Sequence, residues 1–174
     1  MSKRAAYALL ALGVVVLDQV TKMLVDRWMA LHESREVLPG LVSLTYVRNR
    51  GAAFGLFSDA DLPYQPALFT LISIFALAAI AYYALKLPAD SRLPQTGLAL
   101  IMGGAVGNLL NRAFLGHVID FVDVYWGRHH WPAFNVADSC ISIGVALLIL
   151  DVLVAERRVE PAKVGAASPA GPGD

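Results

Sequence analysis

Residues 66–85 read PALFTLISIFALAAIAYYAL, an uncharged run of 20 residues. At about 1.5 Å of rise per helical residue, such a run reaches about 30 Å. That is the thickness of a bilayer's hydrocarbon core. The stretch therefore predicts a membrane-crossing helix. Residues 93–111, LPQTGLALIMGGAVGNLLN, are uncharged as well and predict a second span at about 93–113. Two further runs flank them. The first, about 5–25, is interrupted by Asp18 and Lys22, and the last, about 135–155, has only 12 uncharged residues between Asp138 and Asp151. On length alone the last run suits a buried helix of a soluble protein, but beside the other three it predicts a fourth span.

Composition agrees. The chain has 174 residues, 57% hydrophobic and 16% charged, with mean hydropathy +0.57; soluble domains carry roughly a quarter charged residues. One membrane domain over 1–158 is expected, followed by an Ala-, Pro- and Gly-rich tail, 159–174, read as disordered. Net charge is zero and no basic run occurs, which excludes a nucleic-acid partner. The one cysteine, Cys140, rules out a disulfide framework within the chain and disfavours a cysteine metal site; its simplest role is packing. Lys3 and Arg4 before an apolar run resemble a secretory signal, but Asp18, Gln19 and Lys22 stand where a small-residue cleavage site belongs, so a retained first helix is expected.

Four spans put both termini on one side. Lys3 and Arg4, Lys86 and Arg92, and Arg157 and Arg158 flank the helices at that side, which the positive-inside rule makes cytoplasmic. The two longer loops then face outward. Leu41–Val47 in the first is β-branched and aromatic enough for a strand. Tyr125, Trp126, Trp131 and Phe134 crowd the second, as expected of a loop lying on the bilayer surface.

Charged groups inside a membrane cost about 2.5–3.5 kcal/mol on insertion scales and tend to face the bundle interior. Asp18 and Lys22, four apart with the acid first, form the favourable helical pairing, most simply a structural ion pair. Gly103 and Gly107 make a G-x-x-x-G for close helix packing. Asn108 and Arg112 share a face, with Asn111 one turn from Asn108; the group most simply satisfies nearby carbonyls and carboxylates. Asn135, Asp138 and Ser142 are spaced to share a face, and Asp138 lies where a helix dipole welcomes an anion. Alone, it reads as a cap.

Asp120, in the apolar run Val118-Ile-Asp-Phe-Val122, changes that balance. Placed opposite Asp138, it makes a pair of partly desolvated carboxylates that hold one proton between them. Such a pair activates a water with one carboxylate and protonates the scissile group with the other. Asp123 is the rival acid, more simply solvated or paired with Arg128. Other hydrolytic chemistries fit less well: H-E-x-x-H and G-x-S-x-G are absent, His129 and His130 are adjacent, and no lysine neighbours Ser139 or Ser142 in sequence.

The blocks Asp18-Gln-Val-Thr-Lys22, Asn49-Arg-Gly-Ala-Ala-Phe54, Gly103-Gly-Ala-Val-Gly-Asn-Leu-Leu-Asn-Arg112, and Val118-Ile-Asp-Phe121 with Phe134-Asn-Val-Ala-Asp138 together resemble the bacterial lipoprotein (type II) signal peptidases. In order, and with the four-span layout, they cover nearly the whole chain except the tail. The resemblance implies an all-α membrane protein of four transmembrane helices with a small periplasmic β-sheet. It implies an aspartyl endopeptidase of the bacterial inner membrane, with both termini cytoplasmic and the site near the periplasmic face. The implied substrate is a diacylglyceryl prolipoprotein, cut before the lipidated cysteine. Asp120 and Asp138 are the implied catalytic pair; Asn49, Gly51, Asn108, Arg112 and Asn135 match positions that shape the site and hold substrate. No cofactor or metal is implied, a monomer in membrane lipid is expected, and globomycin is the family's type of inhibitor. The family usually has Asp where this chain has Asn111, which keeps the shape without the charge. The competing readings are a small proton-coupled transporter using the buried acids as a relay, and a non-catalytic assembly or lipid-binding factor.

Overall fold

The computed structural model describes residues 2–51 and 64–165, the side chains of 65, 66 and 155–165 excepted. Four long helices carry the fold: α1 (Lys3–Trp28), α2 (Gln65–Lys86), α3 (Arg92–Leu115) and α4 (Val136–Gly165). All four are long and apolar enough to cross a membrane. Large apolar side chains such as Leu12, Val16, Phe75, Leu85, Ile143 and Ile149 stand on the outside. In water such a surface would aggregate; against lipid it is the expected exterior. The protein is a multi-pass membrane protein.

Helix α1 starts at Ser2, whose hydroxyl accepts the Ala5 N–H at 3.2 Å. Gly116 ends α3 in the left-handed region, φ 73°, with its N–H on the Arg112 carbonyl at 3.1 Å, the cap that glycine adopts without a Cβ clash. Helix α3 is the central post, touching α1, α2 and α4. A Cβ on Gly103 would stand 2.7 Å from the Ala11 carbonyl of α1, so this glycine is what lets the backbones approach. Helix α2 leans chiefly on α3, and none of its described side chains is buried.

At one end of the bundle sits an antiparallel sheet in the order β1 (Ser34–Leu38), β2 (Val42–Asn49), β3 (Val118–Trp126), β4 (His129–His130). The expected strand at Leu41–Val47 is therefore β2, shifted slightly. The run around Asp120 is a strand too, with Asp120 opposite Val47. The sheet is fastened to the end of α1 by a buried cluster of Val25, Met29, Tyr46, Ile119 and Phe121. Tyr46 extends its hydroxyl to Asp26, and Arg48 lies over the Tyr46 ring.

Helices α1, α2 and α3 begin and end within three residues of the runs at about 5–25, 66–85 and 93–113, and two features of α4 stand apart. Asn135 lies before the helix rather than within it. Helical backbone also continues to Gly165, past the residue 159 from which a disordered tail is expected. Ala155, Glu156, Arg157 and Arg158 are strong helix formers and carry the turn onward from the span. Residues 166–174 of that tail, and Ala52, Ala53 and Phe54 of the Asn49–Phe54 block, lie outside the described residues.

Candidate active site

Strand β3 and the start of α4 bring Asp120 and Asp138 to a common partner. Asn135 precedes the first turn of α4 and its Oδ1 accepts the Asp138 N–H at 3.0 Å. The Asp138 carboxylate reaches back to the Asn135 N–H at 3.2 Å. This is a capping box, so the simple reading of Asp138 as a cap holds. The other end of the same amide, Asn135 Nδ2, donates to Asp120 Oδ1 at 2.7 Å. One fully buried asparagine thus holds both carboxylates.

Two more amides complete the frame. Asn49, at the end of β2, donates to Asp120 Oδ2 at 2.9 Å, and Asn108 of α3 donates to Asp138 Oδ1 at 2.8 Å. Gly51 takes part through its backbone: its N–H donates to Asn49 Oδ1 at 2.8 Å, and its carbonyl accepts from Arg112 at 3.3 Å. Asp120 is 2% exposed. Burial first, and then the charge of Asp138, push its carboxyl up to about 7 from the ordinary 3.8, against the two amide donors. Desolvation penalises the charged form more than neutral amides can offset.

Asp18 and Lys22 lie directly behind this frame. Their ion pair, 2.8 Å, is almost wholly buried. Lys22 also donates to Asn108 Oδ1 at 2.7 Å, which turns the Asn108 NH2 toward Asp138. The other Asp18 oxygen accepts the Ala137 N–H at 3.0 Å, capping α4 from a different helix. Gly107 makes room for this arrangement, since a Cβ there would stand 2.5 Å from Asp18 Oδ2. Gln19, which sequence reasoning left without a role, bonds Asp18 and the Gly107 carbonyl and accepts from Asn111. Its signal was its place beside Asp18 in an apolar run.

Not every polar residue joins the site. Asn111 faces Gln19 on α1 rather than the carboxylates. Asp123, expected to be solvated or paired with Arg128, pairs instead with His130 at 3.0 Å on the sheet surface. In a strand, residues three apart point to opposite faces, so Asp123 turns away from Asp120. Ser142 does line up with Asp138: the two, with Trp131, Phe134, Ser139 and Ile143, wall a cleft of about 310 Å³. A buried acid, Asp120, and a half-buried one, Asp138, held by amides, with Asp138 on the wall of an apolar cleft, suit general acid–base hydrolysis.

A family model described as "Signal peptidase (SPase) II" matches residues 10–154. The chain is 56% identical over 144 residues to the lipoprotein signal peptidase of Geobacter metallireducens, covering 83% of this chain and 88% of that one. It is 40% identical over 160 residues to that of Haemophilus influenzae, covering 91% and 92%. A solved bacterial membrane enzyme superposes with TM-score 0.75 at 36% identity, over 86% of this chain and 88% of the other.

Proposed function

The chain belongs to the signal peptidase II family, and on that premise we propose that it is an aspartyl endopeptidase removing the signal peptide from diacylglyceryl-modified prolipoproteins. The observation that carries this reading is the Asn135 side chain bonded to Asp120 and capping the turn that holds Asp138. The carboxyl of Asp120, up to about 7, carries the pair's shared proton. Asp138 takes a proton from a water. The resulting hydroxide attacks the scissile carbonyl carbon while Asp120 protonates its oxygen. As the tetrahedral intermediate collapses, the C–N bond breaks, the proton taken by Asp138 passes to the leaving amine, one hydroxyl proton returns to Asp120, and the new carboxyl group releases its proton to water. The products are a signal peptide ending in a new carboxylate and a lipoprotein beginning at the lipidated cysteine.

The site suits a substrate that is itself anchored in lipid. The cleft beside Asp138 has Trp131 and Phe134 at its rim and the exposed Ile143 along α4, so it takes the apolar part of the precursor. Lys3, Arg4 and Lys86 lie at the end of the bundle away from the sheet, where Lys3 reaches Asp90 and Arg4 reaches the Leu85 carbonyl. That end is cytoplasmic by the positive-inside rule. Both termini then face the cytoplasm and the carboxylates meet substrate near the periplasmic face. The enzyme works as a monomer in the inner membrane.

The test is cleavage by the purified chain in lipid, with products identified by mass spectrometry. A diacylglyceryl prolipoprotein is cut directly before its lipidated cysteine, the unlipidated precursor is spared, and globomycin blocks the reaction. Equal cleavage of both precursors, or a cut elsewhere, would refute the proposal.

A further inference from the structure

The bundle holds a second cavity, of about 260 Å³, at the end opposite the carboxylates. Its walls come from Ala8 and Ala11 of α1, Ala81 and Ala84 of α2, and Ala99 and Met102 of α3. The cavity exists because α2 leans on α3 and leaves α1 largely uncovered. Arg4, Tyr7 and Gln95 add the polar groups. Gln95 is spent on the carbonyls of Ala84, Leu87 and Pro88 at the end of α2, and the Tyr7 hydroxyl bonds the Ala89 carbonyl at 3.5 Å. The interior therefore offers almost no free polar partner, and an apolar cavity of this kind does not hold water. In a bilayer the apolar material in excess is the lipid chain. From Arg4 to Ala11 the walls extend about 10 Å along the helix, well within the roughly 15 Å half-thickness of the hydrocarbon core.

The rim is cationic. Lys3 is matched by Asp90. Arg4 donates to the Leu85 carbonyl at 3.2 Å, and among the described residues no carboxylate pairs with Arg4 or Lys86. Guanidinium has five N–H donors in a fork that suits phosphate, so Arg4 retains donors for a headgroup.

We propose that this cavity is a binding site for an anionic glycerophospholipid of the leaflet surrounding the α1 N-terminus, with one acyl chain between α1, α2 and α3 and the headgroup phosphate on Arg4. The site is independent of the peptidase reading and lies away from its carboxylates. A bound chain fills the gap beside α2, so the lipid serves as the missing packing surface between that helix and α1.

The experiment is native mass spectrometry of the full chain in detergent with equimolar phosphatidylglycerol and phosphatidylcholine. Wild type retains one phosphatidylglycerol after other lipids are stripped. Arg4→Gln lowers the retained ratio of phosphatidylglycerol to phosphatidylcholine about fivefold, the worth of one basic residue near a membrane surface, and Arg4→Lys restores most of it. Filling the cavity by Ala8→Leu with Ala81→Leu removes retention of both lipids while the unfolding temperature holds. An unchanged ratio in Arg4→Gln, or full retention in a folded filled variant, overturns the proposal. If the filled variant does not fold, the Arg4→Gln and Arg4→Lys pair decides alone.

Discussion

Asp120 is a residue held in a state that folding alone would not choose. Its carboxyl sits up to about 7, far above the 3.8 of a free aspartate. Between those values the folded chain keeps a proton that the unfolded chain has released. Stability must therefore fall as pH rises from about 4 through about 7, by at most about 1.4 kcal/mol per pH unit from this group. Above about 7 the loss is complete. Unfolding temperatures in detergent at pH 5 and pH 8 check this: wild type loses several degrees relative to Asp120→Asn over that range. Parallel pH curves would mean that Asp120 is not so perturbed. The same proton predicts that kcat/KM declines above about pH 7, as the pair loses its shared acid. Asp120 was legible as a candidate because an acid in Val118–Val122 has no packing reason to be there. Its companion, Asp138, was named by the family resemblance rather than by spacing. Nothing in the spacing between Asp120 and Asp138 reveals that a strand, a short turn and the Val122–Phe134 bridge fold the chain back on itself.

Among the elements, α4 depends most on a neighbour for its position. Its first turn is capped from within by Asn135 and from α1 by Asp18. The Asp18–Lys22 pair behind it is 0% and 1% exposed. Removing one partner of such a pair leaves a buried uncompensated charge, at a cost of about 3–5 kcal/mol. Asp18→Asn keeps the oxygen that caps Ala137 and so isolates the charge. Asp18→Asn and Lys22→Met each lower stability by about that much, and the double variant recovers at least half of the summed loss, as a double-mutant cycle reads. Additive losses would show that the two residues act separately. The pair itself was readable from its spacing; its bond to Asn108 and its capping of α4 were not, because both cross between helices. Strand β3 was hidden for another reason: residues 118–121 are buried on both faces, which erases the alternation that marks a strand. Strand β1 is exposed throughout and carries no pattern at all.

At the scale of the molecule, one end of a lipid-facing bundle gathers the hydrogen-bonded acids and amides and the other is left basic and incompletely packed. The spans were plain in the sequence because bilayer thickness sets their length directly. The sheet was harder to see, since it is short and takes its order from where α1 ends and α3 stops at Gly116. The arrangement brings acids from β3 and α4, joined by amides from β2, α3 and the α4 cap, to the sheet end of the bundle, where on the proposed function a lipid-anchored chain enters. The pairing of those two acids is the central claim. Single-turnover cleavage of a diacylglyceryl prolipoprotein by wild type, Asp120→Asn and Asp138→Asn, each verified as folded in lipid, tests it most directly. Loss of at least about 10³-fold in rate for both variants, in line with removal of an essential acid–base group, is the predicted result; turnover near the wild-type rate by either variant would contradict it.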